Sequence, residues 1–125
     1  EVVAVTATAG SVEEILTSAI VAAGRFLDEA SALHYLMAHE PEVLLPYFAF
    51  DRIGPLLSAS SAALAPILGA YVSRQVAEEL VEWGARIVLS VFFTPGLIDL
   101  TDAVEVGELV NTMLLPGFAR ELAGT

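Results

Sequence analysis

The feature that most constrains the fold is a helical pattern from Ser73 to Phe93 whose second half has no polar face. In its first half, apolar residues recur at three- and four-residue steps opposite a charged side. From Ile87 to Phe93 only Ser90 interrupts the apolar residues, and a helix that is apolar all round must be buried all round. Because one small domain covers one face of such a helix, the pattern predicts that a second copy of the chain covers the other.

Length and composition limit the class of protein. The chain has 125 residues, enough for one domain with a single core. Its apolar fraction of 56% is high, which indicates a hidden interface, a sizeable cavity or a membrane segment. The uncharged run between Arg52 and Arg74 is long enough to span a bilayer, but its serines, prolines and glycines favour a segment of a globular domain. We therefore expect no membrane contact.

The charge balance excludes one class of partner. The net charge is −11, and a surface this acidic repels phosphate, so we expect no nucleic-acid contact by this chain itself. Cysteine is absent, which excludes disulfides and thiol chemistry. No secretory signal is visible, and the glutamate at position 1 suggests a fragment of a longer product.

The periodic segments predict an all-α domain of about five or six helices, since no segment alternates convincingly as a strand. Residues 1–10 fit either a short strand or the tail of a helix, and we favour the helix tail. Ser11 and Glu14 have the spacing of a capping box, which predicts a helix start at Ser11. Further N-caps are predicted at Ser31, Asp51, Ser73 and either Thr101 or Asp102, with Asp102 and Glu105 repeating the capping-box spacing.

Prolines are predicted to limit the middle and last helices. Pro41 should end one helix and begin a short next one, which Pro46 bounds. Pro66 lies inside a helical pattern and predicts a kink or break there. Pro116 and Gly117 should disturb the last helix, which residues 118–122 complete.

The residues VEWGARIVLSVFFTPGLIDLTDAVEVGELVNTMLLPGF resemble the C-terminal portion of tetracycline-repressor-like (TetR) transcriptional regulators. In that family a Glu-Trp helix ends in Leu-Ser and Thr-Pro, an Asp-Leu-Thr-Asp turn follows, and the last helix closes with Leu-Pro-Gly. The upstream HEPEVLLPYF also looks like the linker after that family's first effector-domain helices.

The resemblance implies an effector-binding and dimerisation domain over residues 11–125, with residues 1–10 as the tail of an interdomain helix. The family's helix-turn-helix domain, which enters the major groove of DNA, has no counterpart in this chain. The resemblance also implies a cytoplasmic homodimer in which the two helices nearest the C-terminus form a four-helix bundle with their mates. A repressor of this kind needs no cofactor and is not an enzyme.

The predicted dimer interface consists of apolar residues on those two helices: Leu80, Gly84, Ile87, Val88, Val91, Phe92, Leu109 and Met113.

A cavity for a hydrophobic small molecule is predicted between the earlier helices. The prolines prevent the middle segments from packing as long straight helices, and the small residues 58–63 lie opposite bulky aromatics, so poorly matched faces leave room. Arg25, His34 and Tyr47 are the candidate polar groups. The predicted lining residues are Phe26, Leu33, His34, Met37, Tyr47, Phe48, Leu57, Leu64 and Trp83.

Other chemistries have weaker support. His34 and His39 are five residues apart without a third ligand at helical spacing, so we expect no metal site. Residues 78–82 hold three glutamates on a polar face before Arg86, which is typical of solvated ion pairs. The serines of residues 58–61 lack a hydrolase setting, so no catalytic residue is predicted.

Two rival functions remain open: a helical dimerisation module with a filled interior, and a small helical enzyme. A pocket between the helix that contains Ser11 and the helix that contains Ile53 favours ligand sensing over the dimerisation module. The enzyme requires a titratable pair that converges in a cleft.

Overall fold

The computed structural model describes residues 2–48, 53–94, 96 and 98–122, and within these ranges the chain forms helices and turns without a strand. Side chains are described for these residues except 2–9, 45–48, 53 and 56. The predicted all-α class is therefore confirmed for the described part of the chain. The predicted N-cap Asp51 lies outside it.

The α-helices, in chain order, are α1 (Val2–Glu29), α2 (Ser31–His39), α3 (Pro41–Phe48), α4 (Ile53–Leu68), α5 (Arg74–Phe93), α6 (Ala103–Leu109) and α7 (Ala119–Leu122). A π-helical turn, Val110–Leu114, and a 3-10 turn, Leu115–Phe118, connect α6 to α7.

Helix α1 is the centre of the packing. It contacts α5 and also α6, the π-helical turn and α7, while α4 packs along α5. Its buried stripe of Val12, Leu16 and Ile20 follows helical periodicity and joins residues of α5 and the C-terminal segment in one apolar core. The side chains of Leu80 and Val106 are fully buried in that core.

The predicted helix start at Ser11 is wrong, because α1 runs without interruption from Val2 through Ser11. The spacing of Ser11 and Glu14 matches a capping box, but a residue inside a helix has intrahelical partners for its backbone and needs no cap. Residues 2–10 are helical, as the helix-tail interpretation requires. Gly10 lowers helix propensity without ending the helix.

Of the three prolines in the middle segments, only Pro41 limits a helix as predicted. Helix α2 ends before Pro41, which is the first residue of α3. Helix α3 runs past Pro46 to Phe48, so that proline does not bound it as predicted. Helix α4 runs through Pro66 and ends at Leu68, so the predicted break at Pro66 is wrong, and a kink there stays a prediction.

Helix α5 has the predicted ends. The Ser73 hydroxyl accepts a hydrogen bond from the Val76 backbone N–H at 3.2 Å, and the helix stops at Phe93 with Thr94 as its C-cap. The hydroxyl satisfies one of the four backbone donors that a helix start leaves without an intrahelical partner.

Helix α6 begins with half of the predicted capping box. The Asp102 carboxylate accepts from the backbone N–H groups of Val104 at 2.9 Å and Glu105 at 3.3 Å. The Glu105 carboxylate does not return to Asp102. It accepts instead from the Asp99 N–H at 3.5 Å, so it holds the preceding turn against the helix.

The last segment is irregular where the sequence predicts it. Pro116 and Gly117 lie in the 3-10 turn, and α7 completes the segment. The π-helical turn before them buries both Val110 and Leu114. Within the described ranges, no helix is both long and apolar enough to cross a bilayer.

Candidate ligand-binding cleft

A cleft of about 290 Å³ lies among α1, α2, α4 and α5 and opens to solvent on one side. Helix α1 and helix α5 supply most of its walls, α2 supplies one residue and α4 two. The lining residues are Leu16, Ala19, Ile20, Ala23, Phe26, Leu27, Leu33, Ser60, Leu64, Leu80, Val81, Gly84, Ala85, Val88 and Leu89. A pocket between α1 and α4 favours ligand sensing over a dimerisation module with a filled interior, and this cleft lies between those two helices.

Helical periodicity explains how the walls form. On α1, residues Ala19 and Ala23 are four apart and therefore lie on one face, beside the buried Ile20. On α5, Gly84, which has no side chain, and Ala85, which has only a methyl group, line the same space. Small residues on two packed helices leave a gap where larger ones would interdigitate.

The cleft is chemically apolar. Among its lining residues only Ser60 carries a polar side chain, and none carries a charge. An ionised ligand would lose its hydration there without gaining a partner, which costs several kcal/mol or more. The site therefore suits an uncharged, hydrophobic molecule.

Three predicted ligand contacts line the cleft: Phe26, Leu33 and Leu64. Phe26 is 69% exposed, which is unusual for a phenylalanine and places its ring at the solvent side of the cleft. Leu33 of α2 and Leu64 of α4 pack against the buried core. Whether these residues contact a ligand stays a prediction.

His34 is not among the lining residues of the cleft. Its Nε2 lies 3.1 Å from the Asp28 carbonyl oxygen, and its ring packs edge to face against Phe92 at 5.7 Å between centroids. It lines instead a smaller cavity of about 200 Å³, where Asp28, Asp99 and Thr101 add polar groups. Leu33 is the residue of α2 that faces the cleft, and the adjacent His34 therefore points in another direction.

The remaining predicted contacts also lie elsewhere. Trp83 is 52% exposed, outside the buried stripe of α5, and the Arg86 guanidinium lies 5.8 Å from its ring centre. Met37 packs against the core and Leu57 is half-buried, but neither lines the cleft. Arg25 is exposed on α1. The side chains of Tyr47 and Phe48 lie outside the described residues.

Sequence reasoning misses the small residues of the walls. Helical periodicity places Ala19 and Ala23 in an ordinary core stripe and assigns Gly84 to the dimer interface. The signal that could identify them is the pairing of small residues at helical spacing on two long helices, since such residues allow a ligand as well as a helix to approach.

Half of the predicted interface residues are buried by the chain itself. Leu80, Gly84, Val88 and Phe92 belong to the core of one copy, because α1 and α4 both cover α5. The dimer stays a prediction, but these four residues are not available to form its surface.

The other four predicted interface residues remain accessible. Ile87, Val91 and Leu109 are half-buried, and Met113 is 75% exposed. Of the four, Met113 is the strongest indication of a contact surface, because an exposed apolar side chain leaves water when it packs against a second apolar surface.

Polar chemistry is concentrated outside the cleft. Asp99 accepts hydrogen bonds from the Thr101 hydroxyl at 2.6 Å and the Thr101 N–H at 2.9 Å, and these bonds lower the pKa of its carboxyl group. Asp99 is exposed and holds a turn rather than a ligand. In the described ranges no three His, Asp or Glu side chains approach closely enough to hold a metal ion.

The glutamates of α5 make exposed ion pairs. The Glu82 carboxylate lies 3.0 Å from Arg86 Nε, and that of Glu78 lies 3.9 Å from Arg74 Nε. The predicted pairing of Glu82 with Arg86 is confirmed. Exposed pairs of this kind contribute little stability, and neither pair faces the cleft. No titratable pair lines the cleft, so its described walls offer no acid or base for catalysis.

Comparison with known proteins gave no match to a protein-family model, to a curated protein or to a solved structure.

Proposed function

We propose that this chain is the effector-binding and dimerisation domain of a TetR-like transcriptional regulator. Its effector is an uncharged hydrophobic small molecule that occupies the cleft among α1, α4 and α5. The observation that carries the proposal is the cleft itself, since a dimerisation module with a filled interior has no use for an apolar space at that position.

The dimensions of the cleft suit a small effector. The volume of the cleft is about 290 Å³. Ligand pockets commonly occupy about 300–1,000 Å³, so this one lies at the small end of that range. A ligand of that size buries most of its surface against Leu16, Leu64 and Val88 and gains the hydrophobic free energy of that burial.

Helix α1 connects the cleft to the rest of the proposed regulator. The C-terminal half of α1 lines the cleft, while its residues 2–10 belong to the same uninterrupted helix. In the family that the sequence resembles, such a helix leads to the DNA-binding domain. A ligand that separates α1 from α5 then tilts α1 and changes the spacing of two DNA-binding domains in a dimer, which couples the two sites.

The test compares ligand-induced thermal stabilisation of three proteins. The native chain, Ala23→Phe and Ala22→Phe are melted with and without a panel of uncharged hydrophobic compounds. Ala23 lines the cleft, whereas the adjacent Ala22 is exposed, so the two variants add the same ring in different places. We expect a compound to raise the melting temperature of the native chain and of Ala22→Phe by several degrees, and to leave Ala23→Phe unchanged.

Two results would contradict the proposal. If no compound stabilises the native chain, the dimerisation module without a ligand is the better description. If a compound stabilises all three proteins equally, it binds somewhere other than the cleft.

A further inference from the structure

Gly84 is a buried glycine in the interior of α5, at a position where alanine would stabilise the helix. Glycine loses more backbone freedom on folding than any other residue, so a helix-interior glycine weakens the fold unless something requires it. Two structural requirements are common: a close approach of another segment, and a backbone conformation that side chains rarely adopt.

Neither requirement applies to Gly84. Its backbone is helical, and a Cβ atom built there would have Ile20 Cδ1 as its nearest neighbour, at 3.9 Å, which is an ordinary contact distance. Gly24 of α1 differs, because a Cβ atom there would lie 2.7 Å from Leu100 Cβ and 3.0 Å from the Leu100 carbonyl oxygen. Packing thus explains Gly24 and leaves Gly84 unexplained.

The space that Gly84 leaves is part of the cleft. Gly84 lines it together with Ile20 across the gap, and the adjacent Ala85 lines it too. A methyl group on residue 84 would therefore occupy space that the cleft now contains, and the fully buried Leu80, one turn earlier on α5, lines the same space.

We infer that Gly84 determines the depth of the cleft and so the length of the ligand that it accepts. This inference rests on the proposed function. The ligand class that fits is a small, uncharged molecule that consists mostly of hydrocarbon, held between the small residues of α1 and α5.

The experiment measures binding of straight-chain alcohols, from hexan-1-ol to dodecan-1-ol, to the native chain and to variants. Gly84→Ala shortens the cleft by one methyl group. We expect it to lower the affinity for the longest alcohol that the native chain binds by about tenfold or more, because one misplaced methylene in an apolar pocket has an effect of that size. Hexan-1-ol, the shortest alcohol of the series, should bind both proteins alike.

Two further variants make the test specific. Ala85→Gly deepens the same wall and shifts the preferred alcohol to a longer chain. Gly107→Ala is the matched control, because Gly107 lies in α6 away from the cleft and its added Cβ would meet Glu13 Oε1 at an ordinary 3.6 Å. We expect both Gly84→Ala and Gly107→Ala to melt at a higher temperature than the native chain without ligand, and only the former to change alcohol binding.

The outcomes separate the inference from the proposed function. If the native chain binds none of the alcohols but a compound of the hydrophobic panel stabilises it, only the inference is overturned; if neither set binds, both are overturned. If it binds them and Gly84→Ala binds the same series equally well, only the inference is overturned. If unliganded Gly84→Ala melts below the native chain, packing requires the glycine and the inference is again overturned.

Discussion

Two glycines of α1 lie in opposite surroundings, and the contrast shows how single residues fix this fold. Gly24 lies directly against the backbone of Leu100, in the connection between α5 and α6. Gly10 lies in the same helix with no atom near the position of an added Cβ. The sequence presents both simply as glycines within a helical pattern, so only the contacts distinguish them.

Replacing each glycine by alanine should therefore change stability in opposite directions. Gly24→Ala forces the connection away from α1, and overpacking of this kind costs about 1–3 kcal/mol, partly offset by better helix propensity. Gly10→Ala adds a methyl group in open space and should increase stability by up to about 1 kcal/mol. Urea denaturation measures both, and a Gly24→Ala protein as stable as Gly10→Ala would contradict the close contact between Gly24 and Leu100.

At the scale of elements, local signals determine helix ends where backbone donors need partners. Residue type and spacing predict Ser73 and Asp102 as caps, and both accept the expected backbone hydrogen bonds. Ser11 has a similar spacing signal, but α1 continues through it, so the spacing of Ser11 and Glu14 does not by itself start a helix.

Local sequence signals likewise predict only part of the cleft. A cavity between α1 and α4 follows from the prolines and small residues, and three of the nine predicted lining residues are in it. The others depend on which side of α2 or α5 faces inward, which residue type alone does not determine. Trp83 shows this: its size favours an interior position, but neighbouring residues of α5 already fill the buried stripe.

Ser73→Ala should destabilise the start of α5. The hydroxyl is replaced by a methyl group, the Val76 N–H loses its partner, and the loss of an N-cap costs about 1 kcal/mol. Ser90→Ala is the control, because Ser90 is exposed in the interior of α5 and alanine is the better helix former. Thermal melting should place Ser73→Ala below the native chain and Ser90→Ala at or above it, and the reverse order would disprove the cap's role.

On the scale of the whole molecule, the proposed dimer depends on apolar side chains that one copy leaves accessible. The proposed dimer now rests on Ile87, Val91, Leu109 and Met113, since the other predicted residues are buried within one copy. Within one copy the second half of α5 is not buried all round, because Ser90 is exposed and Ile87 and Val91 are half-buried.

Met113→Glu should convert the proposed dimer to monomers, because burying a carboxylate without a partner in an apolar interface is costly. Ile67→Glu is a matched control: Ile67 is also exposed, at 51%, but lies on α4 outside the proposed interface. Sedimentation of the native chain and Ile67→Glu should give the mass of a dimer, and that of Met113→Glu half of it. An unchanged mass for Met113→Glu would remove this surface from the proposal.

The position of α1 in the core also affects how the protein is made. Glu13 Oε1 accepts a hydrogen bond from Asn111 Nδ2 at 2.6 Å across 98 positions of sequence, and α1 also packs against α7. Helix α1 therefore leaves the ribosome well before the segments that cover its apolar stripe. Until the C-terminal segment has been synthesised, Val12 and Leu16 lack part of their cover, so we expect this stripe of α1 to be a site at which nascent chains aggregate.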